Sequence, residues 1–214
     1  MIISPGRNYI FVHIPKTGGT SLALALEGRA MRDDILIGDT PKARKRRRRI
    51  KDVKSAGRLW KHSTMADIDG LVTRDFVASA FSFTLVRNPW DRMVSYYHWL
   101  RVQDFDHRAV ARAKATDFSG FLNAPDMQAS IRAADYASYM RLANGAERAS
   151  LFIRLEHFEA DAEPLWQHLG FRLALPHENR SDRSADYREY YTEADVEMVS
   201  RMCVRDIERF GYRF

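Results

Sequence analysis

Apolar and polar positions fall in blocks along the chain. Tyr9-Ile10-Phe11-Val12-His13-Ile14 is a short apolar, β-prone run and predicts a buried strand. Pro15 to Ser21 breaks it with turn chemistry. Leu22 to Glu27 is built from Leu, Ala and Glu and predicts a helix that Gly28 stops. Phe81 to Arg87 is a second β-prone run, ending at Asn88-Pro89. Asn88 suits a helix N-cap, and Pro89 suits the first helical position, where no N–H partner is needed. A helix is then expected from Trp90 to Arg101, and a short one near Met65 to Leu71. Asp104 to Arg148 reads as largely helical and amphipathic. Leu151 to Leu155 is a third candidate strand. Glu159 to Leu169 predicts a helix ending at Gly170, Pro176 to Arg188 a polar loop, and Glu193 to Phe210 a long helix with Thr192 as N-cap. Residues 29–57 show no clear periodicity and read as a mobile connection. Strands separated by helices predict an α/β domain with a mainly parallel sheet.

Composition adds limits. With 214 residues, 45% hydrophobic and 12% aromatic, the chain has material for a real core. Wholesale disorder, collagen-like sequence and a disulfide miniprotein are excluded. Cys203 is the only cysteine, so there is no intrachain disulfide and no cysteine-built zinc site. No apolar run approaches the roughly 20 residues of a membrane helix. Met1 to Arg7 lacks a basic segment followed by an apolar one, and the expectation is a soluble, cytoplasmic protein. One domain over 1–214 is expected, with a basic mobile insertion at about 40–56. The net charge of +6 is concentrated there: Lys42 to Lys54 holds nine basic residues and one acid, a local +8, which leaves −2 for the rest. Such a distribution argues against a chain-wide nucleic-acid binder, which spreads Arg and Lys along a face.

The first segment with chemistry is Pro15-Lys16-Thr17-Gly18-Gly19-Thr20-Ser21, between a strand and a helix. N–H groups at a helix start have no internal partners and, with the helix dipole, favour an anion. Gly18 and Gly19 allow close backbone approach, Thr20 and Ser21 add hydroxyls, and Lys16 adds a full charge. The spacing is not that of a Walker A loop, because Lys16 precedes both glycines, and no Gly-x-Gly-x-x-Gly is present. An ordinary strand–helix turn with a surface lysine remains an alternative. The second segment is Arg87-Asn88-Pro89-Trp90-Asp91-Arg92-Met93-Val94-Ser95. Arg87 sits at the carboxyl end of a strand, where open α/β sheets gather ligands. Its guanidinium suits a phosphate, and Ser95 can add a hydroxyl. Asp91 and Arg92 fit a role in holding the turn. A structural arginine at a capping turn is the competing reading.

Taken together, the two segments resemble the sulfotransferases that use 3′-phosphoadenosine 5′-phosphosulfate (PAPS), in particular the carbohydrate-sulfotransferase branch and its bacterial relatives. Ile153 to Phe158, Asn179-Arg180-Ser181, Tyr187 to Tyr191 and Asp206 to Tyr212 extend the resemblance over most of the chain. It implies a P-loop-like three-layer α/β fold, with a central mainly parallel sheet flanked by helices. It also implies that the glycine loop holds the 5′-phosphosulfate of PAPS and that Arg87 and Ser95 hold the 3′-phosphate. Asn179, Arg180 and Ser181 are expected near nucleotide or acceptor. Lys16 is expected to stabilise the leaving phosphate, and His62 to act as general base on a hydroxyl or amine acceptor. A helix-capping role for His62 is the alternative; His98 is the second candidate base, and His13 reads as a buried histidine. Trp60 and Trp90 can stack on adenine or sugar or belong to the core. No cluster has metal-ligand spacing, and the implied chemistry needs no metal. The basic run suits an anionic glycan acceptor, or serves as a solvated insert. Two other functions stay open: a phosphoryl transferase such as a nucleotide kinase, and a nucleic-acid-binding module using the arginine-rich run.

Overall fold

The structure is a computed structural model and describes residues 1–175 and 183–214. The chain forms two compact units, Met1–Val86 with Tyr136–Glu178, and Arg87–Asp135 with Asn179–Phe214.

The first unit is built on a five-stranded sheet: β1 (Ile2–Ser4), β2 (Tyr9–Val12), β3 (Ile35–Leu36), β4 (Phe81–Val86) and β5 (Leu151–Arg154), in the order β3-β1-β2-β4-β5. β2, β4 and β5 run parallel, while β1 pairs antiparallel with β2 and β3. The carboxyl ends of the parallel strands therefore lie together, with Val12 beside Thr84 and Val86 beside Arg154. Both faces are covered, which explains why β2 is apolar throughout rather than alternating and why Ser82 and Thr84 of β4 are buried. Tyr9, Phe11, Phe83, Leu85 and Ile153 pack on one face with Leu22 and Leu26 of α1 (Gly19–Gly28). Ile3, Ile10 and Val12 pack on the other with Met65, Ile68 and Met140.

Residues 29–57 hold more regular structure than their sequence suggests. Besides β3 they form α2 (Pro41–Arg46) and a 3-10 helix, Arg47–Ile50. Thr40 caps α2, its Oγ1 accepting from Ala43 N at 3.1 Å, and Pro41 takes the first helical position. Thr40-Pro41 is a helix-start signal that the surrounding charges mask. Lys42 donates to the Glu27 carbonyl, Arg46 to the Met31 carbonyl at 2.8 Å, and Arg49 to the Arg32 carbonyl. Arg44, Lys45, Arg47 and Arg48 are exposed.

The helix expected at Met65 to Leu71 is absent. Thr64 and Asp67 bond each other's backbone N–H groups, competing with a helical ladder, and Gly70 sits at φ 86°. The helix here is α3 (Arg74–Ser79), capped by Thr73.

The second unit opens with α4 (Pro89–Arg101). Its N-cap is Asn88, whose side chain accepts from Trp90 N at 3.0 Å. The helical middle of the chain comprises α5 (Arg108–Ala115), α6 (Phe118–Asn123) and α7 (Pro125–Ala133); α8 (Tyr136–Tyr139) belongs to the first unit. The expected helix from Glu159 is two, α9 (Phe158–Asp161) and α10 (Glu163–Leu169), because Pro164 has no N–H for the ladder. The terminal helix is likewise divided at Cys203 into α11 (Glu193–Met202) and α12 (Val204–Phe210). Thr192 and Asp195 form a capping box on α11. Trp90, Tyr97, Phe118, Phe121 and Val199 fill this unit's core. Trp90 is thus a core residue, its Nε1 donating to the Val196 carbonyl at 3.1 Å.

Candidate active site

The glycine loop joins β2 to α1, and its backbone is specialised. Lys16 adopts φ 66° and Gly18 φ 81°. The left-handed region is natural for glycine and costs a β-carbon-bearing residue about 1–2 kcal/mol. Holding Lys16 there is a local strain of the kind found where a loop must aim a side chain. Thr17 is fully buried, and its Oγ1 donates to the Ile14 carbonyl at 2.9 Å. That hydroxyl braces the loop. The two glycines are needed for different reasons. A β-carbon on Gly18 would lie 2.8 Å from Leu155 Cδ1, which follows β5. A β-carbon on Gly19 would lie 2.3 Å from the His13 ring. Gly18 occupies the N-cap of α1, where no side chain can cap the first-turn N–H groups of Gly19 and Thr20. Pro15, Lys16, Thr20 and Ser21 are partly exposed. Ser21 N–H is directed at the Gly18 carbonyl, 3.2 Å away.

His62 is attached to the same loop. Its Nδ1 lies 2.8 Å from the His13 carbonyl. A carbonyl only accepts, so Nδ1 carries the proton and Nε2 is the basic nitrogen of the neutral ring. The ring meets His13 and Trp60 edge-on, at 4.8 and 5.0 Å between centroids. Burial is the main cause that lowers the His62 pKa to about 4; the His13 carbonyl opposes it, and Lys61 and the Met1 amino group add to it. Burial also pushes His13 well below the ordinary histidine value. With no helix at Met65, the helix-capping alternative for His62 falls away. Trp60 is 45% exposed, and the Arg58 guanidinium lies 5.9 Å from its ring centroid.

In the second unit the charges centre on Asp91. Arg87 Nε donates to Asp91 Oδ2 at 2.8 Å, and its Nη2 lies 2.6 Å from the same oxygen. Arg183 Nη2 donates to Asp91 Oδ1 at 2.6 Å. One carboxylate thus orients two largely buried guanidiniums. Asp91 holds the turn as its sequence position suggests. Arg183 escaped the sequence reading because nothing in the polar loop distinguishes it from a solvated arginine. Ser95 is buried on α4, one helical turn beyond Asp91. Asn88 fixes the start of that helix, its amide donating to Tyr187 Oη at 3.2 Å and to the Arg213 carbonyl at 2.9 Å. Asn179, Arg180 and Ser181 lie outside the described residues. Among the described residues, no helix is long and apolar enough to cross a membrane.

A family model described as "Sulfotransferase family" matches residues 1–213. No curated protein matches the chain. Among solved structures, mouse sulfotransferase SULT7A1 complexed with PAP is similar to it at 14% sequence identity and a TM-score of 0.49, over 96% of this chain and 85% of that one.

Proposed function

The chain belongs to the sulfotransferase family, and on that premise we propose that it transfers a sulfuryl group from PAPS to a hydroxyl or amine of a carbohydrate acceptor. The observation that carries the donor assignment is the glycine loop. It opens an uncapped helix start beneath a lysine held at positive φ. In this reading residues 1–214 act as one sulfotransferase domain in a cytoplasmic setting.

The acceptor oxygen attacks sulfur, the bond from sulfur to the 5′-phosphate oxygen breaks, and charge builds on that leaving oxygen. Lys16 and the backbone N–H groups of the loop, Pro15 to Ser21, take that charge. His62 Nε2 takes the acceptor's proton. Arg87 and Ser95 hold the 3′-phosphate, with Asn179, Arg180 and Ser181 near nucleotide or acceptor. Positioning and preorganised charge supply the catalysis, as they do in phosphoryl transfer. Each role rests on the chain's fit to the family pattern and on the local chemistry described above.

The exposed cations of α2 and the following 3-10 helix suit an anionic glycan. Asp39, just before α2, pairs with the Lys61 ammonium at 2.7 Å, and Lys61 directly precedes His62.

Calorimetric titration with adenosine 3′,5′-bisphosphate, compared with ATP–Mg, tests the donor reading. Metal-independent binding of the bisphosphate, weakened by Arg87→Ala, is expected. Binding of ATP–Mg alone would overturn it. Charge reversal at Arg44, Lys45, Arg47 and Arg48 should weaken binding of a sulfated or carboxylated glycan and flatten its salt dependence, leaving bisphosphate affinity unchanged.

A further inference from the structure

Trp60 and Arg58 stand beside His62, and the roles assigned above use neither. All three belong to the first unit. Trp60 is exposed, whereas Trp90 and Trp166 are buried. An exposed apolar side chain is ordinary by itself, but this one differs in two respects. Its backbone is fixed. Ser63 is fully buried, and its hydroxyl accepts from Trp60 N–H at 2.9 Å and lies 2.8 and 3.0 Å from the Trp60 and Arg58 carbonyls. The neighbouring Lys61 carbonyl accepts from the Met1 amino group at 2.9 Å. A braced turn thus presents the indole, so stacking a ligand on it costs little ordering entropy. Its position is the second respect. The indole and the His62 ring meet edge-on with centroids 5.0 Å apart, less than the width of a pyranose with its hydroxyls. A sugar ring lying on the indole therefore has an edge hydroxyl within reach of the imidazole. The exposed Arg58 guanidinium lies 5.9 Å from the indole centroid. An apolar aromatic surface with a cation beside it matches a pyranose whose C–H face is apolar and whose edge carries a carboxylate or sulfate.

We propose that Trp60 is the acceptor platform. It stacks the C–H face of an acidic pyranose so that a hydroxyl of that ring meets His62, and Arg58 takes the sugar's acid group. The inference rests on the carbohydrate-acceptor reading above and adds the class of sugar and two residues that select it. Adenine is the other flat ring that an indole could stack. The neighbour of this indole is the base, which must face the acceptor hydroxyl, so the geometry favours the sugar.

The test uses the full chain, before and after saturation with adenosine 3′,5′-bisphosphate, and two probes: hyaluronan tetrasaccharide, which carries uronates, and neutral cellotetraose. Tryptophan fluorescence is quenched with acrylamide, and affinities are measured by calorimetry. The acidic tetrasaccharide should protect the wild type from quenching and leave the quenching of Trp60→Phe unchanged. Trp60→Ala should bind it about tenfold or more weakly, the scale of one lost aromatic stack, with Trp60→Phe in between and bisphosphate affinity equal in all three. Arg58→Gln should weaken the acidic tetrasaccharide severalfold and leave the neutral one unchanged; equal effects on both would overturn the part of Arg58. Equal protection in wild type and Trp60→Phe, or equal affinities in wild type and Trp60→Ala, would overturn the platform while leaving the carbohydrate reading standing. Protection by the bisphosphate alone would give the indole to the nucleotide and also overturn it. Failure of the wild type to bind either tetrasaccharide would overturn both readings. Should Trp60→Ala not fold, the quenching of wild type against Trp60→Phe decides.

Discussion

The environment of His62 can be tested through stability as well as through turnover. In the folded chain the ring stays neutral down to a pH of about 4. In the unfolded chain it takes up a proton near the ordinary value of about 6.5. Between those values the unfolded state binds the extra proton, so stability must fall as the pH falls. The contribution is complete above about pH 6.5 and is lost progressively down to about pH 4. A difference of about 2.5 units at 1.36 kcal/mol each makes the share of this one histidine about 3 kcal/mol. The variant to use is His62→Asn. The asparagine amide nitrogen stands where Nδ1 does and can still donate to the His13 carbonyl, but the variant carries no titratable nitrogen. Whatever it loses in packing against Trp60 and His13 applies equally at every pH. Urea unfolding followed by circular dichroism at pH 7 and pH 4.5 should therefore show the wild type losing about 2–3 kcal/mol more than the variant on acidification. His13, depressed first by burial and then by His62 itself, titrates in both proteins, so only the part of its depression that burial causes cancels in the difference. Parallel losses, within about 0.5 kcal/mol, would refute the claim that burial holds this ring neutral.

Three further outcomes follow from the same geometry. If His62 Nε2 is the base, the acid limb of kcat/KM should fall at a pH near 4 rather than 6.5, and His62→Asn should abolish that limb along with most of the turnover; a limb near 6.5 assigns the proton to another group. Lys16→Ala should lower kcat on the order of 100-fold with the fold intact by circular dichroism, the scale of one preorganised electrostatic donor; unchanged turnover would remove Lys16 from the reaction. Asp91→Asn should weaken bisphosphate binding even though it removes a negative charge, because Arg87 and Arg183 lose the carboxylate that orients both; tighter binding would show that charge outweighs orientation.

The order of the central elements was legible because strand, glycine loop, helix and strand, Asn-Pro cap, helix are each local signals. Asn88 and Thr192 cap as their residue types predict. What escaped was set by long-range pairing or by a local conflict. β1 and β3 are three and two residues long and exist because Ile2 and Ile3 pair on both sides, to Phe11 and Ile10 and to Leu36 and Ile35. No periodicity survives in pieces so short. Pro164 is a visible break that the helix-forming residues on either side of it conceal. Arg183 reaches Asp91 across 92 positions of sequence, a contact no spacing rule can anticipate.

The glycine pair shows that two identical letters in one motif can answer to different physical constraints. In the sequence both glycines signify close approach to a phosphate. In the structure Gly18 is required by its own backbone, at φ 81°, and by Leu155. Gly19 has no such dihedral and is required by the His13 ring, 2.3 Å from where its β-carbon would be. His13 in turn offers its carbonyl to His62. The second glycine therefore ties the helix start to the strand end that positions the histidine, so the loop and His62 are one packed assembly. Gly19→Ala must displace the His13 ring, which packs against His62 and belongs to the residue whose carbonyl sets the His62 tautomer. It should thus impair proton transfer as well as phosphate binding, whereas Gly18→Ala should strain the loop and leave the acid limb of kcat/KM in place.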